Sequence, residues 1–283
     1  MKKIPPAVRY MLLSTLAFAL MNALIKFLIH FPTFELVFFR SLMTLVITAF
    51  VLKSRKISFL PNKGQLLFFR GLLGVISMSL FFLGAHYIPI GSAVTIRYIA
   101  PLFGGILAVY FLNEKIYPLQ WVFYLMAFTG VIFIKGFDPS VSLLGVSLVL
   151  AAAFFSAIVY ILISKIGQND HPLVVVFYFM LIATITGAVG GAFEWLTPHP
   201  IELLLLLLLG VFGYFGQLYM TKAFQEGEAS KVAPFKYVEV VFTLSFGVYY
   251  FGEVYTFLSF LGIFLVIFGL SMSVLYKSMR SKT

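Results

Sequence analysis

The sequence predicts an all-α integral membrane protein with ten transmembrane helices, arranged as two inverted five-helix repeats around a central cavity. Three observations lead to this fold class: a very apolar composition, ten apolar segments of membrane-spanning length, and one pattern that occurs twice. The chain is 61% hydrophobic and 11% charged, and its mean hydropathy is +1.04. A water-soluble domain needs more charge on its surface, so we expect almost all of the chain to lie in lipid.

The apolar segments follow one another along the chain with short connections that leave no room for a soluble domain. A helix needs about 20 apolar residues to cross a bilayer core of about 30 Å. Segments of suitable length lie near residues 9–29, 34–52, 65–87, 92–112, 119–135, 143–164, 172–195, 203–224, 229–251 and 256–277.

One pattern of the first half recurs in the second half. Residues 109–134 and 248–273 each begin with an apolar and aromatic stretch, reach a glutamate (Glu114 or Glu253), and continue into an apolar run that contains glycine. The offset of 139 residues, the difference between 253 and 114, also aligns residues 97–98 with residues 236–237. Self-similarity of this kind predicts a duplicated membrane protein with a site between its halves.

The polar turn at residues 137–142 is the only plausible boundary between the two copies. It divides the chain into an N-terminal five-helix repeat, 1–138, and a C-terminal five-helix repeat, 139–283, within one membrane domain. Because five is odd, the second repeat enters the membrane from the opposite side. The two repeats are therefore expected to be inverted relative to each other.

The positive charges indicate the orientation of the chain. A net charge of +10, from 20 Lys and Arg against 10 Asp and Glu, would indicate a nucleic-acid partner in a soluble protein. Here the cations flank the apolar segments, and with ten spans nearly all of them fall on one side, which the positive-inside rule assigns to the cytoplasm. We therefore expect a bacterial inner-membrane location, cytoplasmic termini and no nucleic-acid partner. The chain has no cysteine, which excludes disulfides and thiolate metal sites.

Several short motifs stand out around the two copies of the repeat. They are Phe111 to Lys115, Leu119 to Trp121 and Gly130 in the first half, Tyr250 to Val254, Gly262 and Gly269 in the second half, and Arg40. These motifs resemble those of a known group of carriers, the EamA type of the drug/metabolite transporter superfamily, and depart from its usual pattern at Asn113 and Val254. The resemblance implies a ten-helix carrier, and members of the superfamily move amino acids, nucleotide-linked metabolites, organic acids and drugs.

Two cations at equivalent repeat positions, Arg97 and Lys236, are the leading candidates for a substrate site. Ionisable side chains inside a span are costly and indicate function by default. Inversion of the repeats would place the two cations on either side of the membrane midplane, about 15 Å apart along the normal for a core of about 30 Å. Their neighbours Tyr98 and Tyr237 offer a ring for stacking and a hydroxyl for hydrogen bonding. Such a set predicts a binding site for a small anion, although each cation can also reach its own interface as an anchor.

Further polar side chains extend this candidate site. Glu239 follows Lys236 by three residues and is interpreted either as a proton or substrate switch or as a static partner of Lys236 or Arg40. Arg40 itself is expected to have a structural partner, because the resemblance places helix 2 at the periphery, and Arg70 is explained by the positive-inside rule. The remaining candidates lie on polar stripes of helices 1, 3, 6 and 8: Asn22, Lys26, His86, Tyr160, Tyr214 and Gln217.

An enzyme is not expected from this sequence. The four His residues lie at predicted helix ends, both Asp residues lie in loops, and neither a zinc motif nor a glycine-rich phosphate loop is present. We expect no catalytic residue, cofactor or metal, and we expect energy to come from gradients, exchange or a partner protein.

From the resemblance and the candidate site we predict a secondary-active transporter, driven by a gradient or by exchange. Its partners are expected to be membrane lipids and a small polar metabolite, namely an organic anion or a carboxylate-bearing zwitterion. One alternative is an exporter of amino acids, nucleotide-like metabolites or cationic drugs with Glu239 as the proton-coupled site. A lipid flippase or a structural membrane protein also stays open, as does the oligomeric state.

Overall fold

A computed structural model describes residues 5–100, 102–104, 106–107, 117–136, 141–227, 232, 235–236, 238–252 and 254–280. These residues form α-helices joined by short turns. In chain order the helices are α1 (Pro6–Phe27), α2 (Thr33–Ser54), α3 (Gly64–Ala85), α4 (Ile90–Arg97), α5 (Pro118–Gly136), α6 (Leu143–Ile166), α7 (Pro172–Gly191), α8 (Pro200–Glu226), α9 (Val238–Phe251) and α10 (Phe257–Arg280).

Proline marks the start of many of these helices. Pro6, Pro118, Pro172 and Pro200 are the first residues of α1, α5, α7 and α8, where the missing N–H of proline costs no helical hydrogen bond. At the other end of α6 the chain turns through Gly167, whose φ of +51° is accessible to glycine without strain. The sequence therefore encodes where these apolar runs begin and where α6 ends.

Helices α1, α2, α3, α6, α7 and α8 are long and apolar enough to cross a membrane. The first three have 22 residues each, or about 33 Å at 1.5 Å per residue, which matches a bilayer core of about 30 Å. Large apolar side chains such as Phe50, Leu125 and Phe193 are exposed on the outside. Such a surface suits lipid, so this is an integral membrane protein. The apolar parts of the other described helices are shorter, and the count of ten crossings stays a prediction.

The most extensive packing joins helices of different halves of the chain. Helix α1 packs on α8, α3 on α6, α2 on α7, and α5 on α10, while α4 contacts α9 near the centre. In the two five-helix halves, α1 corresponds to α6, α2 to α7, α3 to α8, α4 to α9 and α5 to α10. When each helix is exchanged for its counterpart, the pair α1–α8 becomes α6–α3, and the pairs α2–α7, α4–α9 and α5–α10 stay the same. The set of pairs is therefore symmetric between the two halves.

Glycine permits the closest of these approaches. A Cβ atom added at Gly130 of α5 would lie 2.5 Å from the carbonyl oxygen of Gly262 and 2.8 Å from a methyl group of Val266, both on α10. Small residues let helix backbones approach in lipid, where dispersion contacts stabilise helix pairs. Gly130 therefore fixes the spacing between α5 and α10.

Helix α4 ends at Arg97 and is followed by a turn at Tyr98 and Ile99. The N–H of Tyr98 is shared between the carbonyls of Val94 at 3.2 Å and Thr95 at 3.1 Å, and the N–H of Ile99 donates to the carbonyl of Ile96 at 3.0 Å. Helical geometry resumes at residue 100 and in the described residues 102–104 and 106–107. In the second half, residues 235–236 form a short 3₁₀ turn before α9 begins at Val238. The predicted helix 92–112 is therefore wrong in its continuity, because a turn interrupts it at residues 98–99. Within the predicted helix 229–251, the 3₁₀ turn at residues 235–236 aligns with residues 96–97 at the repeat offset, and these two residues are helical in α4.

A buried carboxylate ties the loop between α2 and α3 to the second half. Asp170, which precedes α7, accepts hydrogen bonds from the backbone N–H groups of Asn62 at 2.6 Å and Lys63 at 3.0 Å. Only 2% of Asp170 is exposed, so these bonds hold the carboxylate away from water. The loop is anchored by charge-assisted bonds, which are stronger than neutral ones.

The neighbouring histidine caps α7. The Nδ1 atom of His171 accepts a hydrogen bond from the N–H of Leu173 at 3.2 Å, which satisfies one donor of the first helical turn. Burial, together with the positive charges of Lys222 and Arg55, lowers the pKa of His171 below its usual value. The neutral imidazole is therefore the form that fits the folded protein.

Candidate functional site

A polar cavity lies where the two halves meet. Its walls come from α1, α2, α3, α4, α6, α7, α8 and the short turn at residues 235–236. The cavity volume is about 60 Å³, within a wider region of about 540 Å³ that includes open solvent. Four cations lie among its wall residues: Arg40, Arg70, Arg97 and Lys236. No carboxylate is found among the wall residues in the described part of the chain.

Lys236 projects into the cavity from the turn before α9. Its Nζ donates to the hydroxyl of Tyr160 on α6 at 2.6 Å, and only 5% of the residue is exposed. The ammonium also lies 4.8 Å from the ring centre of Tyr160 and 5.5 Å from that of Tyr98. Its neighbours stabilise the ammonium through their rings and a neutral hydroxyl, so its positive charge stays available to a ligand.

Arg97 has a carboxylate partner just behind the cavity wall. Its Nη2 lies 3.6 Å from Oε1 of Glu239, and its guanidinium lies 4.0 Å from the ring centre of Phe81. Glu239 is fully buried in the first turn of α9, where the helix dipole favours a negative charge. The carboxylate also accepts from Nδ2 of Asn22 at 2.8 Å and from the hydroxyl of Tyr98. This network joins α1, α4 and α9 and neutralises one cation of the cavity.

Arg40 and Arg70 have no such carboxylate among the described residues. Arg40 on α2 is 2% exposed and donates to the sulfur atoms of Met21, at 3.2 Å, and Met78. Arg70 on α3 is 1% exposed and donates from Nη2 to Oε1 of Gln217 on α8 at 3.1 Å. Arginine stays protonated in proteins, so both side chains bring a full positive charge to the cavity.

Aromatic rings support these arginines. The guanidinium of Arg70 lies 3.9 Å from the ring centre of Phe179, and that of Arg40 lies 5.9 Å from the ring centre of Phe82. Gly74 leaves the space for the first pair, because a Cβ there would lie 3.0 Å from Nη1 of Arg70 and 2.8 Å from the ring of Phe179. A ring stabilises a cation without cancelling its charge, so the cavity keeps an excess of positive charge.

The structure brings together most of the residues predicted for the site. Arg97, Lys236, Tyr160 and Gln217 line the cavity. The second group of predicted residues lies in the network behind the wall and consists of Tyr98, Glu239 and Asn22. Tyr237 lies outside the described residues.

Three predicted residues lie elsewhere among the described residues. Tyr214 packs in a separate apolar cluster that contains Leu52 and Leu218. His86 is exposed at the end of α3, where its two ring nitrogens lie 2.9 and 3.2 Å from backbone carbonyl oxygens. Lys26 is half-buried in the last turn of α1 and is not among the wall residues.

Three interpretations drawn from the sequence are wrong in whole or in part. Arg70 was assigned to the cytoplasmic interface, but it is buried in the cavity wall. Arg40 does have structural partners, Met21 and Met78, but it lines the cavity and does not lie at the periphery. A static pair of Glu239 with Lys236 or Arg40 is wrong, because its ionic partner is Arg97, while its role as a proton or substrate switch stays a prediction. Gln217, which was predicted for the site, accepts the hydrogen bond from Arg70. The two residues lie on different helices, so the sequence does not show that they are neighbours.

A bundle of apolar helices around a buried polar cavity is an arrangement that helical membrane transporters use, and comparisons with known proteins place the chain in that class. The model of the EamA-like transporter family matches residues 6–136 and again residues 143–275, and the chain belongs to this family. One solved crystal structure shares the fold, with a TM-score of 0.72 over 98% of this chain and 99% of its own, at 16% identity.

Characterised relatives are transporters of small molecules. The chain is 26% identical over 245 residues to the pseudopaline exporter CntI of Pseudomonas aeruginosa, covering 86% of each protein. It is 29% identical over 251 residues to the S-adenosylmethionine uptake transporter of Rickettsia prowazekii, covering 86% of this chain and 84% of the relative. It is also 28% identical over 265 residues to human solute carrier family 35 member G1, covering 87% of this chain and 73% of the relative. These relatives are consistent with a transporter rather than an enzyme.

Proposed function

We propose that this protein is a secondary-active transporter of a small organic anion or carboxylate-bearing zwitterion. The observation that carries the proposal is the charge of the cavity: four cations line it, and Glu239 behind the wall neutralises one of them. Buried charges are costly unless they are paired. A ligand with an acidic group supplies the missing negative charge and is therefore favoured over a cationic ligand.

The mechanism we propose is alternating access between two inverted five-helix repeats, 1–138 and 139–283, with both termini in the cytoplasm. The exchange symmetry of the helix pairs supports the duplication, and the two matches to the family model fall on the same two halves. Interrupted helices beside the cavity are also typical of carriers, in which one group of helices moves against another around a central site. The turn at residues 98–99 directly follows Arg97, and the 3₁₀ turn at residues 235–236 contains Lys236; these are two of the cations that we assign to the ligand.

The relatives support a small polar metabolite without selecting one. Two of them are named for the export of pseudopaline and the uptake of S-adenosylmethionine. They differ in cargo and in direction, so we base the proposed charge of the ligand on the cavity alone.

An alternative places proton coupling and a cationic cargo at Glu239. The observation in its favour is that Glu239 is fully buried next to the cavity and forms an ion pair that protonation would release. Its carboxylate is already bonded to Arg97, Tyr98 and Asn22, however, so a cationic ligand would have to compete with three existing partners. The anion proposal does not require that competition.

Transport by purified protein in liposomes separates these functions. We expect uptake of radiolabelled organic anions, exchange with unlabelled anions across the membrane, and no uptake of organic cations. Lys236→Gln removes a charge from the cavity and should lower anion uptake at least tenfold. Lys53→Gln, which removes a charge from the exposed end of α2, serves as the matched control and should keep normal uptake.

Two results would contradict the proposal. Uptake of cations alone, abolished by Glu239→Gln, would favour the alternative. Normal anion uptake by the Lys236→Gln variant would remove Lys236 from the site while leaving the family and fold unaffected.

A further inference from the structure

Arg70 offers the clearest sign of what the cavity binds. The residue is almost fully buried, yet of its three guanidinium nitrogens only Nη2 has a hydrogen-bond acceptor, Gln217, among the described residues. Nε and Nη1 are buried and donate to no atom in the part of the chain that the structure describes. Buried donors are normally paired, and leaving one unpaired costs about 1–3 kcal/mol, more for a charged group. Gln217 and Phe179 therefore hold this guanidinium in the cavity wall with two donors unused. Both donors are covered in this structure, so a ligand reaches them when the wall side chains move.

Arg40 adds a second weakly bonded guanidinium to the same cavity. Its acceptors are the thioether sulfurs of Met21 and Met78, and sulfur is a weak acceptor. Gly213 on α8 leaves room for it, since a Cβ there would lie 3.2 Å from Nε of Arg40. Neither Arg40 nor Arg70 has a carboxylate partner within the described ranges, in contrast to Arg97.

The charges around the cavity exceed what one acidic group can balance. Arg97 is compensated by Glu239, which leaves Arg40, Arg70 and Lys236. A ligand with a single carboxylate would leave two buried cations without a counter-charge among the residues that the structure describes. Two or more acidic groups on one ligand would satisfy the cations at both the lysine and the arginine positions of the wall.

We infer that the ligand is a multivalent anion, a small molecule with at least two carboxylate or phosphate groups. One acidic group binds at Lys236 beside the Tyr160 hydroxyl, and a second binds the donors of Arg70, with Arg40 completing the positive wall. Arginine suits this task, because its planar, multi-donor head group matches carboxylate and phosphate oxygens. This inference rests on the proposed anion transport and narrows the class of substrate from anions in general to anions of charge two or more.

The test compares anions of equal length and different charge. Purified full-length protein in detergent micelles is titrated with butyrate, succinate, hexanoate, adipate and inorganic pyrophosphate at constant ionic strength. The rise in the thermal unfolding midpoint gives the half-saturating concentration of each anion. We expect at least one dicarboxylate to half-saturate at a concentration ten or more times lower than the monocarboxylate of the same chain length. Tighter binding by pyrophosphate than by either dicarboxylate would assign the acidic groups to phosphate.

A variant then locates the second acidic group. Gln217→Glu places a carboxylate beside Arg70, where it competes with the ligand without opening a cavity, and should weaken binding of the preferred dianion at least tenfold. Binding of the monocarboxylate should change less than threefold, which a general loss of folding would not produce. Arg70→Lys keeps the charge but removes the planar donor group, and should weaken dianion binding in the same direction. Lys53→Gln is the control for loss of a positive charge outside the cavity.

The possible results distinguish the inference of a multivalent ligand from the proposal of anion transport. Equal half-saturation by monocarboxylates and dianions, or a Gln217→Glu variant that binds the dianion normally, would overturn the multivalent ligand while leaving anion transport intact. Stabilisation by organic cations with no response to any anion in the series would overturn the proposed function itself.

Discussion

The ion pair between Arg97 and Glu239 allows a quantitative test of the site. Arg97→Gln leaves the Glu239 carboxylate fully buried, with Tyr98 and Asn22 as its donors among the described residues. Removing one partner of a buried pair costs about 3–5 kcal/mol. The separation of 3.6 Å exceeds hydrogen-bond length and two neutral donors remain, so we expect about 3 kcal/mol. Glu239→Gln should cost less, about 2 kcal/mol, because the Arg97 side chain is 14% exposed and rests on Phe81.

The double variant isolates the interaction. With both charges removed neither partner is left unpaired, so we expect a total loss of about 2 kcal/mol rather than about 5, which is a coupling energy of about 3 kcal/mol. Free energies of unfolding are measured by titrating the protein from mild detergent into sodium dodecyl sulfate, with far-ultraviolet circular dichroism as the signal. Lys53→Gln, which removes an exposed charge, should stay within about 0.5 kcal/mol of the parent protein. Additive effects of the two single variants, within about 0.5 kcal/mol, would refute the pairing.

Three further predictions concern the frame around the site. Gly130→Leu should abolish monodisperse protein on size exclusion, because the new side chain meets the α10 backbone; Gly64→Ala, with its nearest contact at an ordinary 3.6 Å, should behave normally. Asp170→Asn should lower the free energy of unfolding by about 2 kcal/mol through loss of charged hydrogen bonds, with unchanged ligand affinity in the same titrations. Because the folded-state pKa of His171 is lowered, the unfolded state takes up the proton first, and stability should be lost as pH falls below about 6.5. His171→Asn, which keeps a capping acceptor, should show a smaller drop in unfolding midpoint between pH 7.5 and 5.5; an equal drop would remove His171 from the explanation.

Hydropathy and the internal repeat account for much of the fold. Apolar length placed the long helices to within a few residues, as with the predicted segment 65–87 and the observed Gly64–Ala85. Hydropathy missed the turn at Tyr98 and Ile99, because both residues belong to a continuous apolar run. The signal in the sequence is Pro101, a residue that cannot donate a backbone hydrogen bond and that indicates a local break in the predicted helix, as Pro234 does in the second half.

Part of the site could be predicted from the internal repeat. Arg97 and Lys236 were identified because the repeat aligns them, and the structure places both at one cavity. Arg70 lies six residues inside α3, about 9 Å from its start, a depth from which an arginine can also reach the interface. In the structure its partners lie on two other helices, Phe179 on α7 and Gln217 on α8. These contacts are tertiary, so the sequence of α3 alone does not reveal them.

The interleaving of the two halves has a consequence for biogenesis. Helix α1 leaves the ribosome long before α8, its main packing partner, and α2 must likewise wait for α7. The early helices therefore lie in the bilayer as separate segments until their packing partners in the second half have been synthesised. A chain cut after its fifth helix would retain apolar segments suited to insertion but would lack the neighbours that cover Asn22, Arg40 and Arg70. Quality-control proteases would then encounter a stable insertion product with unsatisfied polar faces, and only co-expression of the missing fragment would rescue it.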